Sequence, residues 1–273
     1  MSAADVVVVT GAGGMGAAVA RRLASGRTLL LADAFPDHLD RAVTTLRAEG
    51  YDVRGQVTDI ADQPAVAGLA ATAASLGRIA AVVHTAGVSA ATATVDQIMR
   101  VDLAGTAYLI DAFEPLAGHG AAIVCVASMA GHYARLSTAD EHALATTPAA
   151  GLLELDVITG FGGDPVHAYI LAKRANQVRV QAAALAYNRR GARINTISPG
   201  VIATPMARAE QDSTSGAHMM AMLDACGAGR TGTPAEIADA AAFLTGPHSR
   251  YITGTDLLVD GGQAAWIRHH RVS

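Results

Sequence analysis

The stretch that most limits how this chain can fold is the junction of Val6-Val7-Val8-Val9 with Thr10-Gly11-Ala12-Gly13-Gly14-Met15-Gly16. Four β-branched residues in a row, without polar alternation, mark a strand covered on both faces, as in a parallel sheet between helices. A helical pattern over 17–24 follows at once. Gly11, Gly13 and Gly16 therefore satisfy G-x-G-x-x-G between a strand and a helix. Glycine lets the chain turn tightly and bring its backbone against a pyrophosphate, whose charge the helix N-terminus favours. The same residues also fit a glycine-rich tight turn that binds nothing.

Strand patterns recur at 28–32, 51–57, 79–83, 121–127, 193–197 and 257–259, separated by helical stretches. This alternation gives an α/β fold: a Rossmann-type, doubly wound parallel sheet of about seven strands with helices on both faces. At 273 residues, with no visible linker, the chain reads as a single domain, 1–273. In such sheets ligands bind beyond the carboxyl ends of the strands. Asp33 stands there, seventeen residues past Gly16, placed either to accept the adenosine ribose hydroxyls or to turn the chain ahead of Pro36. As a ribose anchor it repels a 2′-phosphate, and no Arg or Lys follows closely, so NAD is expected rather than NADP. Asp59, at the next strand end and followed by Ile60, either reaches the adenine amine or caps the following helix. Thr85-Ala86-Gly87 and Ser128 also sit at strand ends.

Of the 20 basic Lys and Arg residues, Lys173 is the one lysine, and it lies four positions after Tyr169 in a helical segment. Residues at i and i+4 share a helix face, so ammonium and phenol can meet. A nearby cation favours phenolate and draws a tyrosine pKa from about 10 toward working pH, which suits a general acid/base.

The net charge of −4 gives no footprint for nucleic acid or an anionic membrane. Two cysteines provide neither a disulfide framework nor a zinc spacing, and no metal site is expected. With no basic leader and no long apolar run at the start, the reading is a cytoplasmic protein.

Taken together, the glycine turn, Asp33, Asp59, the Ala86-Gly87 turn, Ser128, Tyr169-x-x-x-Lys173, 195–200 and Asp260-Gly261-Gly262 resemble the short-chain dehydrogenase/reductase family from end to end. The resemblance implies an NAD-dependent oxidoreductase moving a hydride between a secondary alcohol or ketone and the nicotinamide. Tyr169 would be the acid/base, Ser128 would bond the substrate oxygen, and Lys173 would hold the nicotinamide ribose and lower the Tyr169 pKa. Gly11, Gly13, Gly14, Met15 and Gly16 would meet the phosphates; Asp33, Asp59, Ile60, Thr85, Ala86 and Gly87 would line the cofactor. Pro199, Gly200, Ile202 and Thr204 would hold the carboxamide end. An NADPH-dependent carbonyl reductase and a non-catalytic dinucleotide sensor are the alternatives.

The chain departs from the family pattern in three places. Its glycine turn is one residue shorter than usual. Asp102 occupies the place of an active-site Asn. Ser128 and Tyr169 are 41 positions apart, so an insertion occupies about 132–166, similar to that of bacterial 3α-hydroxysteroid dehydrogenase/carbonyl reductases. In that subgroup the insertion displaces a dimer contact, so a homodimer or homotetramer shaped by it is expected, with 172–186 and 264–267 as candidate faces. The substrate pocket is expected from 90–95, the insertion and 207–229, where Met206, Met219, Met220, Met222 and Leu223 offer adaptable apolar surface. That points to an apolar alcohol, polycyclic or aliphatic.

Overall fold

In the computed structural model, which describes residues 4–211 and 216–270, seven strands form one sheet in the order β3-β2-β1-β4-β5-β6-β7. They are β1 (Asp5–Thr10), β2 (Thr28–Asp33), β3 (Val53–Val57), β4 (Arg78–His84), β5 (Ala122–Val126), β6 (Arg193–Pro199) and β7 (Asp256–Val259). Every neighbouring pair runs parallel. The chain winds outward from β1 to β3 and then returns to place β4 on the other side of β1. That reversal opens a crevice at the carboxyl ends of β1 and β4.

Helices α1 (Gly14–Leu23), α2 (Pro36–Ala48) and α3 (Gln63–Leu76) connect the first four strands. After β4, α4 (Val95–Ile98) passes through a π-helical segment, Met99–Gly105, into α5 (Thr106–Phe113). Between β5 and the long α8 (Pro165–Arg189) lie α6 (Thr138–Thr146) and α7 (Asp156–Thr159). The remainder carries α9 (Pro205–Gln211), α10 (Gly216–Ala225), α11 (Pro234–Thr245) and α12 (Gln263–His270).

Successive residues of β1 point to opposite faces. Val6 and Val8 join a core with Leu69, Leu109 and Phe113, whereas Val7 and Val9 join a second with Val19, Leu39 and Ile237. Both faces being covered is why the strand reads as an unbroken apolar run. Each such buried side chain contributes about 1.5–3 kcal/mol relative to exposure.

The insertion is a folded layer seated on α8. Ser137 caps α6 by accepting from Asp140 N at 3.1 Å. Arg174 pairs with Glu141 at 2.6 Å, and Arg179 donates to the Leu144 and Thr147 carbonyls at the end of α6 at 3.3 and 2.7 Å. Leu144 and Leu152 then pack with Ala172, Ala175 and Val178 in a third core. Much of the 172–186 face expected as a subunit interface is therefore already covered within the chain, though Leu185 stays exposed.

Candidate active site

The glycine turn is built as its sequence requires. Gly11 has φ +84°, and a Cβ there would lie 2.8 Å from Ala86 N; a Cβ on Gly16 would run into the Gly11 carbonyl. Thr85 Oγ1 bonds the Thr10 carbonyl at 2.7 Å and the Gly11 carbonyl at 3.2 Å, tying the β4 turn to the β1 turn. Helix α1 starts at Gly14 with no side-chain cap and no acidic residue in its first turn. Its first N–H groups, including those of Gly14 and Met15, are thus left to an anion, as a pyrophosphate requires. Thr204, which caps α9 through Ala207 N at 3.2 Å, would lie 3.1 Å from a Cβ on Gly14. The segment after β6 consequently closes over the same turn. Pro199 ends β6, and a Cβ on Gly200 would strike Gln263 Oε1 at 2.6 Å. Ile202 is buried in the core.

Asp33 is nearly buried, with Oδ2 accepting from Ala12 N at 2.8 Å and Oδ1 from Phe35 N at 2.9 Å. Its carboxylate therefore braces the glycine turn and the β2–α2 turn together. Asp59 is exposed and accepts from Ala61 N at 2.9 Å; α3 starts at Gln63, with Asp62 in the N-cap position and no side-chain cap bond, so Asp59 is not the cap of that helix. Ile60 is buried, and Gly105 of the π-helical segment fits against it because a Cβ would lie 2.9 Å from the Ile60 carbonyl.

Helix α8 carries Tyr169 and Lys173, and the ammonium stands 5.2 Å from the Tyr169 ring centroid. On its other side the ammonium faces Asp102 Oδ2 at 3.6 Å, with the lysine and aspartate side chains 7% and 0% exposed. The π-helical segment presents Asp102 to the crevice, and Val88 N donates to its Oδ1 at 2.9 Å. Gly87 makes the meeting possible: a Cβ would lie 2.8 Å from Asp102 Oδ1 and 3.4 Å from Lys173 Nζ. Burial pushes the Asp102 carboxyl up, with Lys173 and the Val88 amide opposing. Burial also works against the Lys173 ammonium, but Asp102 and Tyr169 outweigh it and hold its pKa above the usual value.

Ser128 ends the β5 loop and accepts from Ala130 N at 3.1 Å. That turn lies on α8 because Gly131 has no side chain, a Cβ there being 3.0 Å from Arg174 N. Gln177, one turn beyond Lys173, donates to the Ser128 carbonyl at 3.3 Å and to Ser198 Oγ at 2.9 Å.

Sequence reasoning did not single out His84, Asn176 or Gln177. His84 is buried between Thr10 Oγ1, 2.6 Å from Nδ1, and Thr106 Oγ1, 3.1 Å from Nε2. Thr106 donates its hydroxyl to the Asp102 carbonyl at 2.8 Å, so Nε2 carries the ring proton and Nδ1 accepts from Thr10. Asn176 Nδ2 donates to the same carbonyl at 3.0 Å. Together they fix the backbone of Asp102 and leave its carboxylate to Lys173. Placement of Asn176 three residues after Lys173 was the available signal; His84 gave none.

Comparisons with known proteins speak to the family and the fold. A short chain dehydrogenase family model matches residues 5–139, and an enoyl-(acyl carrier protein) reductase model matches 146–264. A short-chain dehydrogenase/reductase of Alternaria brassicicola is 39% identical over 269 residues, covering 96% of this chain and 97% of its own. A 3-alpha-hydroxysteroid dehydrogenase/carbonyl reductase of Comamonas testosteroni is 30% identical over 240 residues, 82% of this chain and 91% of its own. Among solved structures, a short-chain type dehydrogenase/reductase from Mycobacterium ulcerans superposes with a TM-score of 0.76 at 24% identity, covering 97% of this chain and 92% of its own. No helix among the described residues is long and apolar enough to cross a membrane.

Proposed function

Because the chain belongs to the short-chain dehydrogenase/reductase family, oxidoreductases that work with a nicotinamide cofactor, we propose that it interconverts a secondary alcohol and its ketone with NAD as hydride partner. The observation that carries this reading is the lone, buried lysine held between the Tyr169 ring and Asp102 beside the crevice. When bound, the cofactor supplies the hydride chemistry. The protein's own part is orientation and proton handling. Tyr169 exchanges the proton with the substrate oxygen. Ser128, whose oxygen accepts from Ala130 N, has its hydroxyl hydrogen to donate to that oxygen. Lys173 supplies the positive field that favours phenolate, and Asp102 balances it. Gly11, Gly13, Gly14, Met15 and Gly16 hold the phosphates, with Thr85, Ala86, Gly87, Pro199, Gly200 and Thr204 around them. Ile60 and Ile202 act through packing. Asp33 anchors the ribose and Asp59 the adenine end.

The choice of NAD rests on Asp33, which keeps a carboxylate at the ribose end; among the described residues no Arg or Lys pairs with it. For the substrate, Ala93, Val95, Leu155 and Phe161 pack in the same cluster as Tyr169, which favours an apolar alcohol of the steroid-like or alicyclic class. Met206 and Met220 are exposed nearby in sequence and Leu223 is buried; the side chains of Met219 and Met222 lie outside the described residues. We take the working form as one catalytic domain in a homodimer or homotetramer. Two buried free cysteines, Cys125 and Cys226, suit the cytoplasm. Titration calorimetry with NAD(H) and NADP(H), then a panel of secondary alcohols and ketones followed by NADH absorbance, tests this. Tighter NADP(H) binding turns the reading to an NADPH-dependent carbonyl reductase, and cofactor binding without any turnover turns it to a sensor.

A further inference from the structure

His38, on the first turn of α2, places Nδ1 3.3 Å from Asp33 Oδ2, and its side chain is 42% exposed. Its Cε1 lies 3.9 Å from where a Cβ on Gly13 would stand. The imidazole thus spans the gap between the acidic residue and the glycine turn. Any molecule engaging Asp33 and that turn together passes beside this ring. Two backbone amides, from Ala12 and Phe35, already fix the carboxylate, so it cannot swing away from a neighbouring charge.

We propose that His38 is a specificity-determining residue of the dinucleotide site, setting how strongly Asp33 turns away a cofactor that carries a 2′-phosphate. This rests on the reading of the crevice as a nicotinamide dinucleotide site. Neutral, the imidazole leaves the full charge of Asp33 facing the phosphate. Protonated, it pairs with Asp33 and adds a positive charge near the N-terminus of α2, which itself favours an anion. Few other charges compete at this spot. Strand β3 turns Val53, Gly55 and Val57 toward α2, since Gly55 packs on Leu39 and Val43. The glycine turn contributes only Gly, Ala and Met. On α2 itself Asp37 and Asp40 flank the histidine in sequence, and Arg41 follows one turn on.

The test is direct titration of NAD+ and NADP+ binding at about pH 8 and about pH 6, with wild type, His38→Gln and His38→Arg. The 2′-phosphate itself changes charge near about pH 6, and the glutamine variant carries that contribution alone. In wild type the ratio of the two dissociation constants should narrow by roughly three- to fivefold more than in His38→Gln as pH falls. His38→Arg should bind NADP+ more tightly than wild type at the higher pH and follow the glutamine variant's pH slope. Equal slopes in wild type and His38→Gln, with NAD+ still preferred, overturn the role of His38 alone. A wild-type preference for NADP+ at the higher pH overturns the NAD reading and this inference with it.

Discussion

Lys173 holds its ammonium 3.6 Å from Asp102 Oδ2, an ion-pair rather than a hydrogen-bond distance, and does so in a buried setting. The carboxylate steadies the ammonium but cancels part of the positive field at Tyr169. Phenolate then needs a higher pH, and alcohol oxidation should rise toward alkaline pH with an apparent pKa belonging to the three groups together. Asp102→Asn should move that limb down by on the order of one pH unit while leaving NAD affinity nearly unchanged. The pH–rate profiles decide it: a limb that stays in place or moves upward means that Asp102 and Tyr169 are uncoupled.

Lys173→Arg keeps the charge and should still lose most activity, on the order of a hundredfold. The space beside Gly87 suits a compact ammonium, since a Cβ on Gly87 would already lie 3.4 Å from Nζ. Steady-state kinetics checks this, and an arginine variant within severalfold of wild type would show that charge alone is what the position supplies.

His84 is pushed down to about 3, by burial first and by the Lys173 charge second. The folded protein keeps this ring neutral, whereas an unfolded chain protonates it below its ordinary value of 6.5. Stability from this residue is therefore present above that pH and lost as pH falls toward the folded value, by up to about 1.4 kcal/mol per pH unit. Between neutral pH and pH 5 the loss is about 2 kcal/mol. Denaturant unfolding across that range should show a flatter acid slope in His84→Gln, whatever its absolute stability. Parallel slopes would mean that the native ring takes up its proton like an exposed one.

Replacing residues 139–160 with a short Gly/Ser linker uncovers Ala172, Ala175 and Val178 on α8. Sedimentation should then report a different assembly from wild type. Glu141→Arg, which sets two guanidinium groups against each other at Arg174, is the milder version. An assembly unchanged in both would make the insertion peripheral to subunit association.

Much of the fold could be read in advance because strands covered on both faces leave apolar runs, as at 6–9 and 79–83, and because Tyr169 and Lys173 sit within one helical turn. What escaped depends on partners far apart in sequence. His84 meets Thr10 across 74 positions, and His132 meets Asp256 at 2.7 Å across 124. The π-helical stretch at Met99–Gly105 also left no mark, since its residues have the apolar spacing of an ordinary helix. Asp59 was open between two roles, and only the start of α3 at Gln63, with Asp62 in the N-cap position, removed one. The absence of Lys and Arg near Asp33 was plain, but the fold brought a histidine five positions on back to the carboxylate.

The insertion touches α8 from outside through Arg174 and Arg179, while Leu155 and Phe161, from its later half, join the cluster around Tyr169. One stretch of chain thus has two customers. A substitution in the insertion that remodels the wall near the tyrosine therefore also disturbs how the layer lies over the helix.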